Sequence, residues 1–501
     1  MSEASGKAAD AGRMILRGAQ ATAAGFGGRL AARLLFLFIA GRLFGPAPFG
    51  AYVLAVAAVE LAVSVGSLGM KKVVFQLLDT DGGAGGARPL PHVLLDAALL
   101  VTLASLILAG GMMAATILLP RAWLPGGPAA ALFVLAPMVA GQSLLDLFLA
   151  ATRWKHAIRW EVLARSIVEP YALLAGAAAA WLLGFKASGL LAGYWCGTLA
   201  ALAYAVYGAR RTFGGFRLLR WRPDARLLWR TLRASTSNTA TDLLNALYTR
   251  VDLWLVGLLL GEHAAGVYGM AKQIAVPIRQ VRQSFDGLLI PLVARTLRTH
   301  GSKGSSAALA SATRLILVLQ LPILVGLYAA GGTVLSWLGA GFAAAYWPVL
   351  ALAAAETVQA AFSIGDLVFV YLKPRLGLWL TLASILVGVV AALLLIPRLG
   401  IAGAALSVLA AYGIRALWRG ALLRLKFHLD VPHTHHAGPF VAAAAGVAAA
   451  AAARTAAGGP PAQALALGAG LAAYGAILFL WLRVRRESLS LTGFTVGATA
   501  A

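Results

Sequence analysis

Residues 250–271 read RVDLWLVGLLLGEHAAGVYGMA, and Gly257, Gly261, Gly266, Tyr268 and Ala271 within them form the pattern G-x-x-x-G-x-x-x-x-G-x-Y-x-x-A. The pattern recurs at residues 41–55, GRLFGPAPFGAYVLA, where Gly41, Gly45, Gly50, Tyr52 and Ala55 keep the same spacing at a constant offset of 216 residues. Five matches in fixed register, each at the same point of an apolar hairpin, mark an internal repeat. Two small residues four apart share a helix face and let a neighbouring helix approach closely in lipid. Gly-x-Tyr then reopens the chain after a tight turn and leaves an amphipathic ring at the water boundary. The pattern therefore predicts a hairpin between two membrane spans, present once in each half of the chain.

Composition supports this. Of 501 residues, 60% are hydrophobic and 12% charged, with a mean hydropathy of +0.81, whereas soluble domains carry about a quarter charged residues. At about 20 residues per span, fourteen apolar segments are expected. They leave no room for a soluble domain between spans, so the fold class is an all-α polytopic membrane protein. The net charge of +24 is spread over short loops and forms no basic domain for nucleic acid. Counted by loop, 33 of the 42 Lys and Arg residues fall on the side of the N-terminus and five on the other, Arg42, Arg121, Lys186, Arg398 and Arg454. That asymmetry predicts both termini in the cytoplasm.

The expected organisation is a cytoplasmic tail (1–13), a six-helix half (14–208), a basic cytoplasmic linker helix (209–233), a second six-helix half (234–425), a His-containing loop (426–437), a further helix pair at the periphery (438–484) and a tail (485–501). The linker interleaves Arg with Phe, Leu and Trp, which suits an interfacial helix on anionic membrane lipid.

Several motifs carry no chemistry. DGGAGGA (81–87) and GSKGSS (301–306) lack the phosphate-loop signature. His428, His433, His435 and His436 cluster in HLDVPHTHH with no acidic or thiol companion fixed beside them, so a polar loop is expected, with no metal and no cofactor. The lone Cys196 excludes an intramolecular disulfide. Glu60, Asp96, Asp146, Glu169, Asp286, Glu356 and Asp366 fall in or near apolar spans, where a charge costs about 2.5–3.5 kcal/mol. Each must face a cavity or a partner, and pairing with arginine is at least as good an account as a coupling ion.

At 100° per residue, Ser235, Asn238, Asp242, Asn245, Thr249 and Asp252 fall within about 100° of arc on one helix. A stripe of that kind lines a polar interface or a water-filled cavity. Shifting back by the repeat places Asn238 on Thr22, Asn245 on Arg29 and Thr249 on Arg33. Repeats of parallel topology set equivalent helices across a cavity, here polar on one wall (Asn238, Asp242, Asn245, Thr249, Asp252, Thr22) and cationic on the other (Arg29, Arg33). Arg250 suits either packing or the cavity wall.

The hairpin RLFGPAPFGAYVLA, the stretch R-x-D-x-x-x-x-G-x-x-x-G-x-x-x-x-G-x-Y-x-x-A from Arg250, and IPRLGIAGAALSVLAAY at 396–412 resemble the polysaccharide and oligosaccharide-lipid flippases of the multidrug/oligosaccharidyl-lipid/polysaccharide (MOP) exporter superfamily. The resemblance runs from about residue 14 to 425. It implies a non-enzymatic flippase of a bacterial inner membrane that moves a polyprenyl-pyrophosphate-linked oligosaccharide outward by alternating access. Arg29 and Arg33 would grip the pyrophosphate, with Arg250 and Lys272 as the alternative cations. A polysaccharide polymerase and chain-length proteins are further partners it implies; nucleic acid is not one. The competing readings are a cation-coupled multidrug exporter of the same superfamily, which arginines on the first-span stripe disfavour, and a scaffold or polymerase subunit of polysaccharide assembly.

Overall fold

Among the described residues every long apolar stretch becomes a helix in the computed structural model, as it must where no water is present to satisfy backbone N–H and C=O groups. The structure describes residues 28, 30–80, 88–119, 126–186, 188–216, 221–283, 301–366, 369, 373–427, 436–456 and 461–485. Among these no strand forms. Ten helices are long and apolar enough to cross a membrane, or eleven when one bent pair is taken as a single span. The expected count of fourteen is not reached in this way, because two of the ten are double-length helices of 59 and 54 residues, broken at Gly261 and Gly400.

The chain divides into two compact units. The first comprises Met1–Arg250 with Leu260–Gly266. After the helical residues 30–39 (α1) and a π-helical turn, Ala40–Phe44, come α2 (Pro46–Gly66), α3 (Met70–Thr80), α4 (Leu90–Leu118), α5 (Gly126–Leu135), α6 (Met138–Trp154), α7 (Arg159–Leu163), α8 (Glu169–Leu182), α9 (Gly189–Phe213) and the start of α10 (Ala225–Gln283). Its core gathers Met70, Val73, Leu78, Leu94, Leu145, Leu147, Ala201 and Ala205. Helices α8 and α9 meet backbone to backbone: a Cβ on Gly193 would come 2.7 Å from the Leu173 carbonyl oxygen, and one on Gly197 2.9 Å from that of Glu169. Small residues four apart permit this approach.

The repeat is visible in the backbone. Gly45 (φ 77°, ψ −177°) and Gly261 (φ 84°, ψ 179°) hold the same conformation, one that essentially only glycine adopts. A Cβ on Gly50 would overlap the carbonyl of Glu262, and one on Gly266 would overlap the carbonyl of Pro46. Gly50 and Gly266, like Pro46 and Glu262, are each other's equivalents at the repeat offset. The contact is therefore reciprocal, as in a twofold-related interface.

The linker departs from its expected form. Helix α9 ends at Phe213, Gly214 caps it in a left-handed conformation, and Trp221–Asp224 is non-helical. The Asp224 carboxylate accepts the backbone N–H groups of Arg226 (2.9 Å) and Leu227 (3.3 Å) and starts α10. Those bonds hold its pKa below the usual carboxylate value. Among its described residues the segment 209–233 is thus two helix ends and not one helix, because a glycine pair stops the first and Pro223-Asp224 begins the second.

The second unit, Val251–Leu259 with Val267–Ala501, continues with α11 (Gly301–Leu338), α12 (Tyr346–Phe362), α13 (Pro374–Phe427), α14 (Ala437–Ala456) and α15 (Pro461–Arg485). The last pair is packed into this unit. Ala442, Ala443, Tyr474 and Leu478 share a core with Ile316, Leu321 and Val325, and the buried Tyr474 hydroxyl donates to the Val318 carbonyl (2.9 Å). Arg454 donates to the Ala329 carbonyl (2.8 Å) and the Tyr346 hydroxyl (3.2 Å) and lies over the rings of Tyr328 and Tyr346.

Candidate functional site

Within the first unit, six elements turn polar side chains toward one another. Helix α2 contributes Glu60, Ser64 and Ser67 at i, i+4 and i+7, and a turn at Leu68 and Gly69, both with positive φ, delivers Lys71 at the start of α3. Helix α6 contributes Gln142 and Asp146, four apart. A π-helical turn, Ala164–Val168, carries Arg165 four residues before Glu169; such bulges re-aim side chains and often mark functional positions. Tyr194 on α9 and Asp242 and Asn245 on α10 complete the lining of a cavity of about 430 Å³.

The side chains form one network around Arg165 and two further ion pairs. Arg165 pairs with Asp146 and, at 2.8 Å, with Glu169, and it donates to the Gln142 side-chain oxygen (3.3 Å). Gln142 in turn donates to Glu169 (3.2 Å) and to the Thr198 hydroxyl (3.0 Å). Lys71 binds the other oxygen of Asp146 at 2.9 Å. Lys72 pairs with Asp242 at 3.0 Å, and Arg250 pairs with Glu60. Four carboxylates thus meet four cations. Among the described residues the cavity is a balanced ion-pair lattice, in contrast to the cationic wall expected from Arg29 and Arg33. Every carboxylate here shares its cation, which is how charge is tolerated at membrane depth.

A second constellation lies in the second unit. Asp252, 6% exposed, accepts the Tyr268 hydroxyl (2.5 Å) and the Lys272 ammonium (2.8 Å to each oxygen), and Lys272 lies 5.9 Å from the Tyr268 ring centroid. Nearby in sequence, Arg279 pairs with the buried Glu356 at 3.2 Å.

The expected stripe on α10 therefore separates. Asp242 and Asn245 line the first-unit cavity. Asn238 lies under the turn at Gly69, whose Cβ would come 2.5 Å from that of Asn238, and the Thr249 hydroxyl folds back on the carbonyls of Asn245 and Ala246 (both 3.1 Å). Asp252 does not line this cavity, because Tyr268 and Lys272 draw it inward. Arg33 is half-buried on α1; Thr22 and Arg29 lie outside the described residues. Arg250 and Lys272, the alternative cations, are each in an ion pair. Of the seven carboxylates singled out in apolar surroundings, Asp286 lies outside the described residues and the other six all have Lys or Arg partners, including Asp96 with Arg88 and Asp366 with Arg415 and Arg419. His428, His433 and His435 also lie outside, and among the described residues no group of His, Cys, Asp and Glu has the arrangement of a metal site.

Sequence reasoning missed Lys71, Gln142, Arg165 and Tyr194. In the count of basic residues by loop, Lys71 and Arg165 fall among the 33 on the side of the N-terminus. The signal was the pair of i, i+4 couples, Gln142–Asp146 and Arg165–Glu169, each beside an apolar run.

Comparison with known proteins agrees with this architecture. Residues 16–297 match the family described as "Polysaccharide biosynthesis protein". The succinoglycan biosynthesis transport protein ExoT of Rhizobium meliloti (strain 1021) is 26% identical over 332 residues, which span 63% of this chain and 60% of that relative's length. An inward-facing structure of a multidrug resistance MATE family transporter of the MOP superfamily superposes with a TM-score of 0.66 at 13% identity, covering 79% of this chain and 94% of the other. An outward-facing structure of a MATE family transporter gives 0.55 at 14% identity, covering 83% and 95%. At these identities the structures establish the fold, an all-α multi-pass membrane architecture.

Proposed function

We propose that the chain, which belongs to the polysaccharide biosynthesis protein family and is a polysaccharide biosynthesis transporter, is a flippase for polyprenyl-pyrophosphate-linked oligosaccharide repeat units of surface polysaccharide, working by alternating access. The observation that carries this reading is the set of ion pairs around a 430 Å³ cavity among apolar helices of the first unit. A cavity so built offers hydroxyl, amide and carboxylate groups to a sugar and guanidinium groups to a phosphate. Arginine suits the second task because it stays charged on desolvation and presents a planar fork to phosphate oxygens. An incoming pyrophosphate would compete with Asp146 and Glu169 for Arg165, with Arg33 on α1 and Arg29 as the further headgroup ligands.

Direction follows from the membrane potential. A headgroup of about −2 leaving an inside-negative cell at about 100 mV gains about 4.6 kcal/mol, twice the value per charge. The basic-residue asymmetry supports both termini in the cytoplasm, in the bacterial inner membrane where such a carrier would be handed over. Fourteen spans result when the bent pair is taken as one span, the helices broken at Gly261 and Gly400 are each read as two and α1 is counted. Reporter fusions at Arg121, Lys186 and Ala340 would then face outward, and those at Arg220, Lys303 and Arg486 the cytoplasm; two reversed fusions would overturn the topology.

The test of function is reconstitution into liposomes with a fluorescent polyprenyl-pyrophosphate oligosaccharide, scoring the fraction reaching the outer leaflet. Transport is expected to fall by at least about tenfold in Arg165→Gln and in Arg29→Ala/Arg33→Ala, the loss of one charge-assisted contact or more. Normal flipping by both variants, or uptake of organic cations in place of the lipid, would remove this reading and favour the multidrug alternative.

A further inference from the structure

Where α6 gives way to α7 in the first unit, the chain reverses through Lys155 and His156, the latter at φ 58°, and the Ala157 N–H closes the turn on the Thr152 carbonyl (3.0 Å). The reversal seats the head of α7 on α9. Four positions of α9 build the seat: Tyr204, Tyr207, Gly208 and Arg211, at i, i+3, i+4 and i+7, share one helix face. Trp160 is buried against it. A Cβ on Gly208 would come 2.7 Å from the Trp160 ring, and that ring lies 5.3 Å from Tyr204 and 5.7 Å from Tyr207 by centroid.

Two exposed guanidinium groups flank these rings. Arg159 lies over Trp160, 5.0 Å from the centroid, and Arg211 over Tyr207 at 5.5 Å, its Nε donating to the Tyr207 hydroxyl (3.1 Å). Both sets of partners are neutral, so neither positive charge is cancelled. Among the described residues no carboxylate pairs with either arginine, because the acids at this end of the unit are taken. Glu161 gives both oxygens to Arg153 (3.0 and 3.2 Å), Asp79 accepts the Trp154 indole (2.7 Å), Asp96 pairs with Arg88 and Asp224 caps α10; Asp81 lies outside the described residues. Stacking occupies the face of a guanidinium and leaves the N–H donors at its edge for an acceptor oxygen.

Each arginine also ends an exposed apolar stripe. Leu163 and Ile167 follow Arg159 at four-residue steps, and Leu199, Ala203 and Tyr207 lead up to Arg211 at the same step, all of them exposed. We propose that Arg159 and Arg211 hold the headgroup of one anionic phospholipid of the adjoining leaflet, its acyl chains lying along the two stripes. The ring platform fixes both guanidinium groups, so a phosphate gains charge-assisted hydrogen bonds from donors already in place. A zwitterionic headgroup brings its own ammonium to two uncancelled cations and is disfavoured. The site shares no residue with the 430 Å³ cavity and stands apart from the reading of cargo.

The experiment measures lipid binding alone, independent of transport. The full chain is purified, exchanged into micelles holding equimolar phosphatidylglycerol and phosphatidylcholine, and the retained lipid is quantified by mass spectrometry. Phosphatidylglycerol is expected in roughly tenfold excess, the equivalent of one charge-assisted contact. Arg159→Gln and Arg211→Gln should each reduce that preference about threefold or more, and the double variant should abolish it. Arg210→Gln, which removes the same charge from the same exposed turn but from no ring, should leave the preference as it is. Equal retention of the two lipids, a preference that survives in the double variant, a loss in Arg210→Gln as large as in Arg211→Gln, or displacement of phosphatidylglycerol by equimolar undecaprenyl pyrophosphate would each overturn the proposal.

Discussion

The two copies of the hairpin share a backbone and differ in what they hold. In the first, Tyr52 is buried among rings, 6.0 Å from Phe36 and 6.1 Å from Phe49. In the second, the equivalent Tyr268 donates to Asp252, which stands where the first copy has Phe36, and Lys272 stands where the first has Val56. One copy is closed by aromatic packing and the other by a buried ion pair in the same places. The difference teaches that the glycine pattern specifies the turn while the adjoining positions are free to carry charge. A buried pair is weak evidence for stability, since apolar replacements of similar volume often do as well; its retention in one copy points to a use beyond folding.

The largest effect is expected where that pair is halved. Asp252→Ala leaves Lys272 without its carboxylate in apolar surroundings and should cost about 3–5 kcal/mol, read as a lower midpoint of heat-induced aggregation in detergent. Converting the second copy to the first, Asp252→Phe with Lys272→Val, should recover most of that stability yet lose transport in liposomes. A double variant that transports normally would make the pair purely structural.

Next come the facing glycines. Gly50→Ala and Gly266→Ala each drive a methyl group onto a backbone carbonyl and should cost about 1–3 kcal/mol. Because the contact is reciprocal, the two losses should agree; a difference above about 1 kcal/mol would break the twofold relation. Gly45→Ala and Gly261→Ala, which strain the backbone without a clash, should cost about 1–2 kcal/mol each, again in parallel.

The smallest effect belongs to a site outside the repeat. Asp224 caps α10 as a carboxylate, and its folded pKa lies below the ordinary value. Its contribution is therefore present above the unfolded pKa and disappears as pH falls through the lower, folded one. Asp224→Ala should remove this acid-side decline while slightly lowering the melting midpoint at neutral pH.

The sequence alone determined the class, the repeat and the turn glycines, for reasons local to the chain: lipid demands self-satisfied helices, and a backbone at φ near +80° with ψ near 180° demands glycine. It also located most of the intramembrane carboxylates, since a charge in an apolar run announces itself. What it did not determine was who meets whom. Asp242 and Asp252 lie on one helical stripe by angle, yet one joins Lys72 at a cavity and the other turns to Tyr268 and Lys272. Arg165 reads as a loop cation until the π-helical turn aims it at Asp146, nineteen residues earlier. Such pairings are set by the packing of helices distant in sequence, and helical periodicity fixes only the face a side chain leaves from, never the neighbour that receives it.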